Sequence, residues 1–443
     1  MAALAAARGI IAAPLAINAA LEKALNNNPA VLRAEKEIEA AGADRYAAIT
    51  AFLPAASIGG VYTRLDQEPP GINIDPSSVM MGEDIGIAFT PLMQYQFRDN
   101  YSGHFRVSQP VFTGGRIFHT ARAAHSKLLI KEAVLQKKKS DIKVNVIKAF
   151  YGVIVAKETV KLSKEAVKQL ERHLARVKKF KKAGMATEYD CLKTEVRLLS
   201  WKPKLARAER EFKNAKRNLS LLMGEEGKEG FEVNGSLEYE KVKFSLPNKD
   251  EAVKNALKNR PEIIMASLGK EAAGFMKMAA FSSMLPRVML QYNYNYYNTT
   301  GDFSFEGGDY QQWWDVRVML NWDIFSFGGN YAKAHSKAQK EGEKKVDLVS
   351  LKNSVKTEVK DAYEYLKEAE KAVKVRQKHI ELAEKGYKIA AQKYKTGAIT
   401  NTEFLDSHLT RSEARAKYLK ALYEYKIAGA EFKRALAMKG GSE

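Results

Sequence analysis

The residue types that could do chemistry are sparse in this chain, and their spacing is not that of an enzyme. Its seven histidines are scattered, with no metal-ligand spacing, nucleophile motif or phosphate-cradling glycine loop. His335, His379 and His408 fall within helix patterns and read as polar-face residues. The single cysteine, Cys191, cannot close an intrachain disulfide. Its mid-sequence place rules out lipidation of an N-terminus, and it reads as a small packed side chain. Catalysis is the weakest reading, and nothing calls for a cofactor or a metal. Glu403 and Asp406 are three apart and so share one helix face. On their own they are what the first turn of a helix favours, because the macrodipole is positive there.

The elements that carry these residues are limited by composition. The 443 residues are 45% hydrophobic and 28% charged, enough to build a core and too apolar for wholesale disorder. No run of 18 apolar residues occurs, since the longest stretch near the start is broken by Arg8, Pro14 and Asn18. A membrane-spanning helix is excluded, and any crossing must use strands. Residues 1–14, Ala-rich with one Arg, are either the remnant of a secretory signal or simply the start of the chain. The net charge of +20 raises the prospect of an anionic partner. Most of it is concentrated in residues 116–217, with 28 Lys/Arg against 10 Asp/Glu, and in residues 330–437, with 24 against 15. Charge on long helices usually marks a hydrated face; a tunnel lining that favours anionic cargo is the sharper alternative. The segment with Asp66, Glu68, Asp75, Glu83 and Asp84 is acidic.

The chain repeats itself. Ala24-Leu25-Asn26-Asn27-Asn28-Pro29 returns 232 positions later as Ala256-Leu257-Lys258-Asn259-Arg260-Pro261, and Leu53-Pro54 as Leu285-Pro286. Gly114-Gly115 returns as Gly328-Gly329 and Gly184 as Gly397, at the shorter offsets of 214 and 213. The first copy therefore holds an extra loop between Pro54 and Gly114. The first repeat covers 15–223, a Gly-rich inter-repeat belt 224–250, and the second repeat 251–443. Each copy reads as a helix, two strands, a very long helix, a glycine turn and another long helix. Val146, Val153, Val160, Val167 and Leu174 recur every seven residues, as do Val359, Leu366, Val373, Ile380, Tyr387 and Tyr394, the pattern of an antiparallel coiled-coil hairpin. A helix from Gly115 to Lys182 would span about 100 Å. The returning helix is expected to pack through Leu409, Ala416, Tyr423, Ala430 and Ala437.

The strands decide between compartments. Val288, Leu290, Tyr292, Tyr294 and Tyr296 alternate with Gln291, Asn293 and Asn295; Val316, Val318, Leu320, Trp322 and Ile324 alternate with Asp315, Arg317, Asn321 and Asp323. Tyr101, Phe105 and Val107 oppose Ser102, His104, Arg106 and Ser108 more weakly, and Tyr62 alternates with Thr63. A soluble sheet over a core gives the same alternation. If the strands cross a membrane, about four cannot close a barrel, which needs about eight or more. Copies must associate, and three copies giving about twelve strands leave a wider lumen than two.

Duplicated Ala-Leu-x-x-x-Pro openings at Ala24 and Ala256 fit this picture. So do the strand ends Gln109-Pro110-Val111-Phe112 and Trp322-Asp323-Ile324-Phe325, and Tyr394-x-x-Gly397 followed by Glu403-Phe404-Leu405-Asp406. In this order, twice over, from about Leu15 to the end, the chain resembles the TolC-like outer-membrane efflux protein family. The resemblance implies a mainly α fold with a β-barrel. A long helical tunnel crosses the periplasm, and four strands per chain complete a 12-stranded barrel in a homotrimer set in outer-membrane lipid. It further implies an exit duct for an efflux or type I secretion system, working with a periplasmic adaptor and an inner-membrane pump. Tyr292, Tyr294, Val316, Val318, Leu320 and Trp322 would face lipid; Asn293, Asn295, Arg317 and Asn321 would face the lumen. By position, Gly184 and Gly397 are the tip turns, Asp190 and Tyr394 tie neighbouring helices in the closed tip, and Glu403 and Asp406 ring the periplasmic constriction. Where some relatives carry a basic residue two positions after the glycine, this chain has Ile399, so an ion pair at that point is absent. The rival from another class, a soluble basic coiled coil binding nucleic acid, explains the charge but neither the strands nor the duplication, and no nucleic acid is expected.

Overall fold

The computed structural model describes residues 15–67, 98–225, 227, 230–239, 248–298 and 310–437. Glu68, Asp75, Glu83 and Asp84 of the acidic segment lie outside them. The duplication repeats the element order, with helix lengths that match to within one residue. In the first copy α1 (Ile17–Asn27, 11 residues) leads to α2 (Pro29–Thr50, 22 residues), β1 (Ala55–Arg64), β2 (Asp99–Phe112), α3 (Arg116–Lys182, 67 residues) and α4 (Glu188–Leu222, 35 residues). In the second, α5 (Lys249–Asn259, 11 residues) leads to α6 (Pro261–Phe281, 21 residues), β3 (Arg287–Asn298), β4 (Tyr310–Asn321), α7 (Gly329–Lys395, 67 residues) and α8 (Asn401–Ala435, 35 residues).

The repeated Pro explains why each opening helix is two. Asn28 and Arg260, each preceding a proline, are extended at φ −68, ψ 125 and φ −65, ψ 129, the region that proline imposes on its predecessor. Pro29 and Pro261 then start the next helix, where a missing N–H costs nothing. Packing divides the chain into two units, one of Met1–Ala40, Leu129–Leu268 and Lys345–Glu443, the other of Ala41–Leu128 and Gly269–Lys344.

In the first unit most of the heptad positions bury, while Val160, Ile380 and Tyr387 are half-buried. Val146, Val153, Val167 and Leu174 of α3, and Val359, Leu366, Val373 and Tyr394 of α7, are all buried. The returning helix differs from expectation. Ala430 is buried as expected, but Ala416 is exposed and Leu409 and Tyr423 half-buried, Ala437 lies past the helix end at φ 51, and α8 also buries Phe404, Leu405, Ala414, Ala421, Leu422, Tyr425, Ala428 and Phe432. Alanine fits either side of a tight helix pair, so the small residues misplace the seam while the large ones fix it. In the belt between the repeats a parallel bridge joins Leu15 to Val233.

A charged clamp fixes α5 and α6 against α3, α7 and α8. Arg260, only 3% exposed, donates two hydrogen bonds to Glu358 at 2.7 and 3.0 Å; Arg434 joins Glu358 at 3.0 Å to Asp141 at 3.1 Å. Arg260 therefore holds the Glu358 carboxyl below its usual range. Glu358→Ala leaves that buried guanidinium without its two hydrogen bonds and with only Glu262, 3.5 Å away, beside it, and should cost about 3 kcal/mol in denaturant unfolding followed by the helix signal. Lys36→Ala, which removes an exposed pair with Glu39, should leave the unfolding curve essentially unchanged.

In the second unit the four strands form one antiparallel sheet in the order β1-β2-β3-β4. β4 ends at Asn321, paired with Arg287, because its partner begins only after Pro286, which has no N–H to offer the ladder. Trp322 and Ile324, expected in the strand, lie beyond it.

Candidate functional site

The sheet has two chemically distinct faces, and its register makes each continuous. Val107 pairs with Tyr292 and Tyr292 with Val316; Phe105 pairs with Tyr294 and Tyr294 with Trp314; Leu290 pairs with Val318 and Val288 with Leu320. Ile58, opposite Phe105, extends the same face into β1. These side chains cover one another little: Ile58 is 86% exposed, Val318 71% and Leu320 65%. Trp322, past the strand, donates its indole N–H to the Met284 carbonyl at 3.0 Å. The opposite face carries a polar ladder across three strands. Arg106 donates to Asn293 at 3.0 Å, Asn293 donates to Asp315 at 2.9 Å, and Arg317 pairs with Asp315 at 2.6 Å. Asn295 and Asn321 stand in the same two-residue period as Asn293 and Arg317. Among the described residues β1 and β4 each have one neighbour only, so both outer edges carry unpaired ladder positions.

The other candidate site is the pair of helix reversals. Gly184 at φ +71 and Gly397 at φ +72 adopt the left-handed conformation that closes each long helix, a conformation only glycine takes without strain. Three residues on, Thr187 and Thr400 cap the returning helices, each in a reciprocal capping box. Asp190 and Glu403 are therefore equivalent positions. The Glu403 carboxylate accepts from the Thr400 N–H at 2.8 Å and hydroxyl at 2.9 Å, and those bonds lower its pKa below the usual carboxylate range. Asp190 accepts likewise from Thr187 at 3.0 and 2.7 Å. Partial burial opposes its ionisation, but these bonds outweigh it and its pKa is also lowered. Asp406 is exposed, with Arg197 3.9 Å away. Tyr394 is buried, stacked on Phe404 at 5.2 Å between centroids and 5.0 Å from the His173 ring, so burial raises its phenol pKa. Cys191 packs beside it with Val177 and Phe404, and Ile399 joins that cluster.

The sequence reading missed the polar residues that join the two helical hairpins. Asn401, 5% exposed, accepts from His173 Nε2 at 2.8 Å and donates to the Asp190 carbonyl at 3.2 Å and to Thr194 Oγ1 at 3.1 Å. His408, assigned to a polar face, is 2% exposed and donates from Nε2 to Gln169 at 3.1 Å. Asn401, His408 and Arg411 recur with Phe404 at seam spacing; polar residues at seam positions were the available signal.

Two helices also carry a second apolar stripe that nothing among the described residues covers. Tyr189, Leu192, Val196 and Leu199 of α4 are exposed on the side opposite Cys191, Thr194 and Leu198, which are buried. Val375, Leu382 and Ile389 of α7 are exposed on the side opposite the buried Val373 and Tyr394. A helix with apolar seams on both sides is built to sit between two neighbours.

Thr187→Ala and Thr400→Ala should each destabilise the start of their helix by about 1 kcal/mol, seen as roughly fivefold faster amide exchange at 190–191 or 403–404. In Thr400→Ala the Glu403 pKa should rise towards that of an exposed carboxylate.

No curated protein sequence matches the chain. Among solved structures it resembles CmeC, an outer membrane channel of Campylobacter jejuni, with 17% identity, a TM-score of 0.80, and coverage of 95% of this chain and 85% of that one. It also resembles the open state of the MtrE outer membrane channel of Neisseria gonorrhoeae, with 18% identity, a TM-score of 0.77, and coverage of 95% and 88%. CusC, known for conformational changes accompanying folding and transmembrane channel formation, matches at 17% identity and a TM-score of 0.78 over 95% and 91%. The family model for outer membrane efflux proteins matches residues 20–225 and 252–437. The four open strands, the doubled helical hairpins and this match agree: the chain belongs to the outer membrane efflux protein family and is an outer-membrane exit duct extending into the periplasm.

Proposed function

We propose that three copies of this chain join into one duct, closing a barrel of about twelve strands in outer-membrane lipid. The sheet carries this reading. Its apolar face is too exposed for water, and its two unpaired edges are too costly for lipid unless another copy completes the ladder. The uncovered stripes on α4 and α7 support the same assembly, each fitting the other helix of a neighbouring copy. A passive duct needs an energised partner, so the tip is the docking end for a periplasmic adaptor and an inner-membrane pump. Nothing in the helices calls for nucleic acid or for a catalytic step.

Tyr292, Tyr294, Val316, Val318 and Leu320 then face lipid, with Trp322 at the rim of the barrel. Asn293, Asn295, Arg317 and Asn321 face the lumen. Gly184 and Gly397 set the tip turns, with Asp190 and Tyr394 packed beside them. Glu403 and Asp406 line the constriction, with Asp406 the freer carboxylate because Glu403 is bonded within its own cap. Carboxylates repeated round a three-fold axis attract cations.

Detergent extracts should therefore contain particles of three chains that form channels in planar bilayers; a monodisperse monomer without detergent would sink the proposal. Val318→Arg should impair assembly by about 2 to 4 kcal/mol, whereas Asn295→Arg should be mild. Block of current by multivalent cations from the periplasmic side should be abolished in Glu403→Ala/Asp406→Ala. Block as tight as in the parent would remove these residues from the constriction.

A further inference from the structure

The buried polar cluster near the tip has a design that packing alone does not require. Asn401 and His173 tie α8 to α3, Asn401 and Thr194 tie α8 to α4, and Gln169 of α3 takes both His408 and Arg411 of α8. Lys193 adds a bond to Thr402 at 2.8 Å. These bonds hold the α3–α4 hairpin to the first turns of α8. The arrangement tolerates only uncharged histidines. His173 uses Nε2–H for Asn401, and its Nδ1 is buried with no partner. Protonation there would create a buried N–H donor without an acceptor. His408 is surrounded by cations.

The groups facing this cluster come from all four long helices. α3 supplies Glu165, Gln169, His173 and Arg176; α4 supplies Arg197 and the Asp190 carbonyl; α7 supplies Glu384, Tyr387 and Tyr394; α8 supplies Arg411 and Arg415. The nearby carboxylates are each engaged elsewhere than on His408: Glu165 and Glu384 both pair with Arg415, at 3.1 and 2.5 Å, Asp406 lies 3.9 Å from Arg197, and Asp190 is bonded within its own cap. Arg411 lies over the Tyr387 ring at 3.7 Å, and its Nε is buried without a partner. A second positive charge at His408 would stand in that same pocket.

We propose that this cluster is an acid-releasable latch: neutral His173 and His408 hold the α3–α4 hairpin to α8, and protonation frees the two to separate. The proposal rests on the duct reading, in which such a separation widens the tip. Burial first, then the neighbouring arginines, push His408 down from 6.5 to about 4, and burial also lowers His173 despite the bond it donates to Asn401. A lowered histidine pKa means that the latched state is fully favoured above about pH 6.5 and loses favour as pH falls towards 4. If the released His408 regains its ordinary value, going from pH 7.5 to 5 shifts the released-to-latched ratio by about 30-fold per chain.

The test uses the full chain in detergent and in planar bilayers. Channel open probability should rise as the periplasmic side goes from pH 7.5 to 5. His408→Gln, which keeps a side-chain donor for Gln169 but cannot be protonated, should lose most of that rise. Arg411→Gln, which removes one facing charge, should move the midpoint to higher pH. Amide exchange across 188–200 and 401–411, corrected for the intrinsic pH effect, should speed up in the parent over the same range and not in His408→Gln. A channel with no pH response, or a response unchanged in His408→Gln, overturns the latch and leaves the duct standing. Absence of any channel overturns the duct reading, and the exchange measurement still decides the latch: acid-induced exchange abolished by His408→Gln supports it, and none in the parent refutes it.

Discussion

The constraint on which the structure depends is the unfinished sheet. A strand in contact with lipid can leave no N–H or carbonyl unsatisfied, because hydrocarbon offers no replacement partner. Four strands with an apolar face and two open edges are therefore a fragment of a larger closed object. The same incompleteness recurs in the helices, where α4 and α7 each bury one seam internally and leave another uncovered. Strand edges and helix stripes are different chemistry, yet in the proposed assembly both are completed by further copies of the chain.

Duplication supplies the rest economically. One unit made twice yields matched hairpins with helices of 67 and 35 residues, and divergence within that frame assigns different work to equivalent positions. Before the repeated proline, Asn28 caps the next helix through the Ala30 N–H at 2.9 Å, whereas Arg260 anchors a charged clamp. After the repeated glycine, the caps end in Asp190 and Glu403, but only the second helix begins with Asn401, which reaches across to the first hairpin. The fold is nearly two-fold repetitive; the polar chemistry joining its halves is not.

Much of this was legible in the sequence. The glycine turns, the long helices and the strand alternation follow from backbone sterics and from periods of seven and two, which survive without tertiary information. Where reading failed, the cause was local. Alternation in the fourth strand continues through Trp322 and Ile324, but hydrogen bonding stops where Pro286 ends the partner, and a side-chain pattern cannot report that. The α8 seam was misplaced because alanines fit on either side of it, while Asn401, His408 and Arg411 occupy seam positions that a search for apolar residues passes over. The acidic residue at 403 was recognised, but its bond to Thr400 depends on the cap geometry. Its proposed role at a three-fold axis depends on neighbours that one sequence does not contain.

Completion of the sheet by neighbouring copies is tested most directly at the edge backbone amides, by hydrogen exchange on the detergent-solubilised assembly across β1 (Ala55–Arg64) and β4 (Tyr310–Asn321). If β4 of one copy pairs with β1 of the next, edge amides will exchange as slowly as those of β2 and β3. Outward-pointing amides of β1 and β4 that exchange freely while β2 and β3 stay protected would show a sheet that remains open, and would contradict the account.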